Sequence, residues 1–164
     1  MRVSLLSAIT TLALVLLPGC EVSEKVMPPL YGEPVHKVKS IEFFSTQDMN
    51  QSTAVAVDLV FIFDPKLVDE LTGMTARSWF SERQGYMASY PQALVVSSYE
   101  FVPGFVATID PTAIKAAPGN NAKKAKAVVL FADYLVESKA YTLDVSHFKN
   151  PVVTLGHITI SVSE

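Results

Sequence analysis

The run TAVAVDLVFIF, Thr53 to Phe63, alternates so that Val55, Val57, Leu59, Phe61 and Phe63 share one face. Ala54, Ala56, Val60 and Ile62 share the other with Asp58. Both faces are largely apolar, which places this strand centrally in a sheet with a layer on each side. Asp58 is the polar exception, and a rim position or a satisfied buried hydrogen bond explains it better than a catalytic carboxylate. The same two-residue period predicts strands over Val35–Ser45, Ala93–Val102, Phe105–Ile109, Ala127–Val136 and Ala140–Ser146. It predicts a last strand in PVVTLGHITISVS, where Val153, Leu155, His157, Thr159 and Ser161 alternate against Thr154, Gly156, Ile158, Ile160 and Val162. Between the second and third of these runs the period lengthens. Asp64 as a cap, Pro65 at the first helical position and Gly73 as a stop predict one helix. Thr75 caps a second, with Trp79, Phe80, Arg83, Tyr86, Met87 and Tyr90 at helical spacing until Pro91. Such an aromatic stripe packs on a sheet more often than it binds a ligand. Pro103 and Gly104 mark a tight turn. The expected fold is mostly β: a two-layer antiparallel β-sandwich over residues 35–164 with a helical insertion at about 65–90, after the second strand.

The first 34 residues have a different pattern. Arg2 precedes an apolar run from Val3 to Leu17, interrupted only by Ser4, Ser7, Thr10 and Thr11, and Pro18-Gly19-Cys20 closes it. The layout is that of a secretory signal over residues 1–19, and the run is shorter than the ~20 apolar residues of a comfortable membrane span. Leu17-Pro18-Gly19-Cys20 resembles the lipobox of bacterial lipoproteins. That resemblance implies diacylglyceryl transfer to the Cys20 sulfur, cleavage before it and acylation of the new amino group. Several acyl chains at ~0.8 kcal/mol per buried methylene hold a protein stably to a bilayer. From Cys20 to Pro34 three prolines, one glycine and no apolar period predict a tether. About 14 residues of it reach roughly 45 Å when extended and a little over 20 Å as a coil.

Removing residues 1–19 from the 164 leaves 145, one ordinary domain, with 12 basic against 16 acidic residues and a formal charge of −4. A mildly acidic domain without a basic stripe is a poor nucleic-acid binder. Acylation of Cys20, the single cysteine, leaves no thiol for a disulfide.

Catalytic signals are sparse. His36, His147 and His157 are not at metal-ligand spacing, and there is no nucleophile elbow or phosphate-cradling glycine loop. By alternation His157 faces the more polar side of the last strand, where a solvated or singly hydrogen-bonded imidazole is expected. Asp133 shares a face with Val129, Phe131 and Leu135, so a buried or edge hydrogen bond to backbone is expected of it. Lys115, Lys123, Lys124 and Lys126 cluster in a polar insertion, which reads as a solvated loop before it reads as a site for an acidic partner or lipid headgroups. By elimination the residues favour a tethered binding or scaffolding module, with no metal and no cofactor besides lipid on Cys20, over an enzyme. A small-ligand-binding or enzyme-inhibiting lipoprotein predicts instead a deep pocket lined by some of Trp79, Tyr86, Tyr90 and Tyr99. A hydrolase requires a histidine within reach of a carboxylate in a cleft.

The lipobox, the proline-containing tether and the runs AVAVDLVFIFDPKLVDEL, SSYEFVPG and AVVLFADY in this order resemble the type VI secretion system outer-membrane lipoproteins, the TssJ or SciN family. The resemblance implies a transthyretin-like β-sandwich on the periplasmic face of the outer membrane. It implies as partner the periplasmic domain of the inner-membrane core protein TssM, in an envelope-spanning complex. In that family the loop between the first two strands makes a principal contact. Here it is Ser45–Thr53, with Gln47, Asp48, Met49, Asn50 and Gln51 at its tip. An exposed Met49 is expected to be a small apolar anchor, replaceable by aspartate without loss of thermal stability. Glu21 after the cysteine, in place of the aspartate that retains enteric lipoproteins in the inner membrane, implies outer-membrane sorting.

Overall fold

Alternation along the chain resolves into paired strands in the computed structural model, which describes residues 35–111, 122–136 and 141–164. The signal and tether expected over residues 1–34 lie outside these, as do Lys115 and most of the polar insertion. The strands are β1 (Ile41–Ser45), β2 (Val55–Ile62), β3 (Leu94–Phe101), β4 (Val106–Ile109), β5 (Ala127–Asp133), β6 (Thr142–Asp144), β7 (Val152–Leu155) and β8 (Ile160–Ser163). They form two four-stranded sheets, ordered β4-β1-β7-β8 and β3-β2-β5-β6. The pairings are antiparallel except β1 with β7, which run parallel. Gly32–Glu164 is one compact unit.

β2 is central, between β3 and β5, as its two apolar faces require. Its Val55, Val57, Leu59 and Phe61 are buried in the inter-sheet core, where Phe43 of β1 stacks on Phe101 of β3 with ring centroids 4.6 Å apart. The helices lie over the other face. Asp64 accepts from the Lys66 amide at 3.0 Å and starts a 3-10 turn, Pro65–Leu67, that runs into α2 (Val68–Gly73). Thr75 accepts from the Ser78 amide at 3.1 Å and caps α3 (Ala76–Ser89). Trp79 is buried, stacked on Phe131 of β5 at 4.9 Å. Its Nε1 donates to Asp58 Oδ2 at 2.9 Å, and Arg83 Nη1 donates to the same oxygen at 3.0 Å. Asp58 is thus a buried hydrogen-bonding group that pins α3 to the sheet. The rest of the aromatic stripe reaches the surface: Phe80 and Tyr86 are half-buried, Met87 and Tyr90 exposed.

Three expectations are corrected. The closing run is a hairpin, not one strand: the Gly156 amide donates to the Thr159 carbonyl at 2.8 Å and turns β7 into β8. Buried Val153 and Leu155 are odd-numbered and buried Ile160 is even-numbered, so the apolar parity changes across the turn. β5 stops at Asp133, short of the predicted Val136, and Asp133 is exposed, which leaves out the buried half of its expectation. The predicted first strand begins only at Ile41. Before it, the His36 amide donates to Ala125 O at 3.2 Å and the Lys37 amide to Ser146 O at 2.8 Å, tying residues 35–40 to the start of β5 and the end of β6.

Each odd-numbered strand runs away from that end of the sandwich and each even-numbered strand returns to it. Four connections therefore gather at the far end: 46–54, 102–105, the segment after Asp133, and 156–159.

Candidate docking face

The far end is built around the β1–β2 connection. Ser45 Oγ donates to Val102 O at 2.7 Å and accepts from the Phe105 amide at 2.8 Å, joining it to the β3–β4 turn. The Gly104 amide donates to Thr46 O at 3.2 Å, with Gly104 at φ 75°. That left-handed value suits glycine, and a methyl group there would lie 2.3 Å from Gln47 Nε2. Thr46 Oγ1 donates to Asp48 Oδ1 at 2.7 Å, and this bond, with the His157 ring nearby, holds the Asp48 carboxyl below the usual carboxylate range. His157 sits in the β7–β8 turn, with Nδ1 3.0 Å from Asp48 O and 3.8 Å from Asp48 Oδ2.

Met49–Ser52, labelled α1, is a four-residue coil in which Asn50, Gln51 and Ser52 have φ of 46°, 59° and 63°. Three consecutive left-handed residues without glycine need support from their surroundings. Asn50 supplies it: Nδ2 donates to Thr53 Oγ1 at 2.8 Å and to Ala54 O at 3.0 Å, and Oδ1 accepts from the Leu135 amide at 2.8 Å.

Of the five tip residues expected to meet a partner, Gln47, Asp48 and Gln51 are exposed, while Met49 and Asn50 are buried. The expectation of an exposed Met49 anchor is therefore corrected. The coil tucks its side chain into the core with no exposed surface, because the chain must re-enter the sandwich to begin β2.

Exposed apolar side chains come instead from the neighbouring connections. Val102 and Phe105 flank the β3–β4 turn, Leu135 and Val136 follow β5, and Ile158 occupies the β7–β8 turn, each about half exposed or more. Buried tyrosines fix the last two connections to each other. Tyr134 Oη donates to Gly156 O at 3.1 Å and Tyr141 Oη to Ile158 O at 2.9 Å, and the two rings stack at 4.3 Å. Burial raises both phenol pKa values. The result is a polar centre of Gln47, Asp48, Gln51 and His157 with apolar side chains around it. Solvent-facing apolar groups gathered in this way mark surfaces that bind other molecules. No sequence pattern singled these five out, because each lies at the end of an ordinary strand or in a turn.

Other candidates stay apart. Among the described residues no three His, Cys, Asp or Glu side chains are grouped to hold a metal. His36 is bonded between Ala122 O, 2.7 Å from Nε2, and the Val38 amide, 3.1 Å from Nδ1, and exposed His147 lies with it at the opposite end from His157. The approach of His157 to Asp48 is on the open surface and not in a cleft, as a hydrolase would require. Of the aromatics expected in a ligand pocket, Trp79, Tyr86 and Tyr90 follow one another with ring centroids 6.1 and 6.2 Å apart, but Trp79 is buried in the core and Tyr99 lies elsewhere, beside Phe101. Tyr86 and Tyr90 border a shallow cleft of about 480 Å³. Lys124 is exposed and Lys126 half-buried. Cys20 and the Lys123 side chain lie outside the described residues.

No family model and no curated protein sequence matches the chain. Its architecture does match solved β-sandwich lipoproteins of type VI secretion. The T6SS lipoprotein TssJ1 from Pseudomonas aeruginosa aligns with a TM-score of 0.52 and 14% identity, over 79% of this chain and 96% of that one. Serratia marcescens Lip, a membrane-bound component of the type VI secretion system, aligns with a TM-score of 0.53 and 10% identity, over 76% and 96%. A chain from the structure of the T6SS protein TssM C-terminal domain from EAEC aligns with a TM-score of 0.54 and 12% identity, over 77% and 97%. At these identities the likeness is one of fold: the protein has the TssJ-like β-sandwich that the order of its motifs suggested.

Proposed function

We propose that the protein is a periplasmic lipoprotein, anchored in the outer membrane through acylated Cys20, that scaffolds a type VI secretion membrane core by binding the periplasmic domain of a TssM-like inner-membrane protein. It acts without catalysis. The observation that carries this reading is the polarity of the sandwich. The chain enters the domain at the end where His36 and Lys37 are tied to Ala125 and Ser146, and the four gathered connections lie at the other. Strands of up to eight residues separate the two ends by roughly 25 Å. The face of Gln47, Asp48, Gln51, Leu135 and Ile158 is thus at the end of the domain opposite the point where the chain enters it, which supports its use by a partner other than the anchoring membrane. The shared fold with TssJ1 and Lip supports the same assignment.

Calorimetric titration of the unit Gly32–Glu164, which holds the whole described core, with the periplasmic domain of TssM from the same organism tests it. Saturable one-to-one binding is expected. Leu135→Asp and Ile158→Asp each weaken it about tenfold or more without moving the thermal midpoint, as exposed interface anchors do. Absence of binding between two folded proteins would overturn the reading. The anchor is tested by fatty-acid labelling: Cys20→Ser is expected to abolish it, and labelling equal to wild type refutes lipidation at that residue.

A further inference from the structure

We propose that Asn50 is the positioning residue of the docking face: its buried side chain and its backbone amide together lock three connections into one preformed surface, and partner binding depends on that lock. The inference rests on the reading above for the identity of the partner, but not for the lock itself. Asn50 is 3% exposed, so it cannot be a principal contact. Its amide has two donors and one acceptor atom, and all are used within the fold. Both donated bonds, to Thr53 Oγ1 and Ala54 O, close the left-handed coil on itself. The accepted bond, from the Leu135 amide, holds the segment that carries exposed Leu135 and Val136. Its own backbone amide donates to Gly156 O at 3.2 Å, beside His157 and Ile158.

A buried polar side chain that closes its own coil and also holds the Leu135 amide orders both connections, whereas an apolar residue would fill the same space without doing so. Asparagine also suits the backbone, being one of the few residues other than glycine that tolerate φ near +46°. Gln51 and Ser52 follow it in the same left-handed conformation and are exposed, so the coil displays them in one fixed direction. A surface ordered before the encounter avoids paying loop entropy on binding, which is why an indirect residue controls affinity.

The test uses Asn50→Gly, which accepts the left-handed backbone and removes all three side-chain bonds, and Asn50→Asp, which keeps the acceptor for Leu135 and loses the donors. Three quantities are measured on the unit Gly32–Glu164: hydrogen exchange at the Leu135 amide, exchange in β2 and β5, and affinity for the TssM periplasmic domain. With Asn50→Gly, Leu135 exchange is expected to rise at least about tenfold and affinity to fall about tenfold, while β2 and β5 keep their protection. Asn50→Asp is expected to restore Leu135 protection while lowering overall stability, since its buried carboxylate faces Ala54 O without a counter-charge. Asn50→Ser, small and neutral, is expected to raise Leu135 exchange as the glycine form does, and it stands as the informative variant should the other two not fold. Unchanged Leu135 exchange overturns the lock, whether or not TssM binds. Faster exchange with unchanged affinity overturns its role in binding. If wild type does not bind TssM, the reading of the partner fails, the binding half of this proposal fails with it, and the exchange measurement still decides the lock.

Discussion

Arg83→Met isolates the most exacting electrostatic arrangement in the fold. Asp58 is 1% exposed on the central strand, and its Oδ2 receives both Trp79 Nε1 and Arg83 Nη1. Oδ1 has no hydrogen-bond partner among the described residues, and Arg83 supplies a counter-charge to this buried carboxylate. Removing one member of a buried pair costs about 3–5 kcal/mol, because the remaining charge stays desolvated. The Arg83 side chain is 33% exposed, so water screens its outer side and the low end, about 3 kcal/mol, applies. The guanidinium also lies 5.0 Å from the Phe80 ring centre, which adds about 0.5 kcal/mol. Urea denaturation measures the loss: with a slope near 2 kcal/mol per molar, the midpoint falls by roughly 1.5–2 M. Asp58→Asn is the control, since its amide oxygen still accepts from Trp79 and no charge remains to be balanced; it costs about 1 kcal/mol. In that background Arg83→Met should cost under about 1 kcal/mol, giving a coupling of at least about 2 kcal/mol in the double-mutant cycle. An Arg83→Met loss below about 1 kcal/mol with Asp58 intact would refute the argument.

Tyr86 donates to Glu70, and that bond, with partial burial, raises its phenol from 10.0 to about 12. A raised folded-state pKa contributes stability that is complete below pH 10.0 and is lost as pH climbs to about 12. Thermal melts should therefore show a fall over this interval that Tyr86→Phe lacks; an identical pH profile for the two proteins would refute the contribution. Met49→Asp is expected to lower stability by about 3 kcal/mol or more, since Met49 is fully buried and the new carboxylate has no counter-charge. An unchanged melting temperature would place Met49 at the surface after all. Gly104→Ala should cost about 1–2 kcal/mol, through its positive φ and the 2.3 Å approach to Gln47 Nε2, with circular-dichroism melts as the readout. Gln47→Ala in the same protein is expected to relieve the steric share and leave the backbone share.

The helical layer and the central strand were readable because their signals are local. Asp64 and Thr75 accept from amides two and three residues away, Pro65 fixes its own φ at the first helical position, and β2 carries apolar groups on both faces whatever it pairs with. The β7–β8 hairpin was readable in principle, in the shift of apolar parity between Leu155 and Ile160, but Gly156-His157-Ile158-Thr159 lacks the usual turn dipeptides and hid it. Asp58 was legible as a buried hydrogen-bonding group, though only its Oδ2 is bonded, and its partners were not legible, since Trp79 and Arg83 come from an element 21 and 25 residues away.

By itself the sequence determined the fold class and the place of the helices. Periodicity, caps and breakers are properties of neighbouring residues and survive without tertiary context. Only the tertiary structure decided which side chains the far end presents. Met49 and Asn50, polar-flanked in sequence, are drawn inward by the left-handed coil, while Leu135 and Ile158, apolar in sequence, are left outside. The reason is physical: exposure at a strand end depends on where the chain turns and on which distant amide or carbonyl holds the turn. Bonds such as Asn50 Oδ1 to the Leu135 amide span 85 residues and have no local signature.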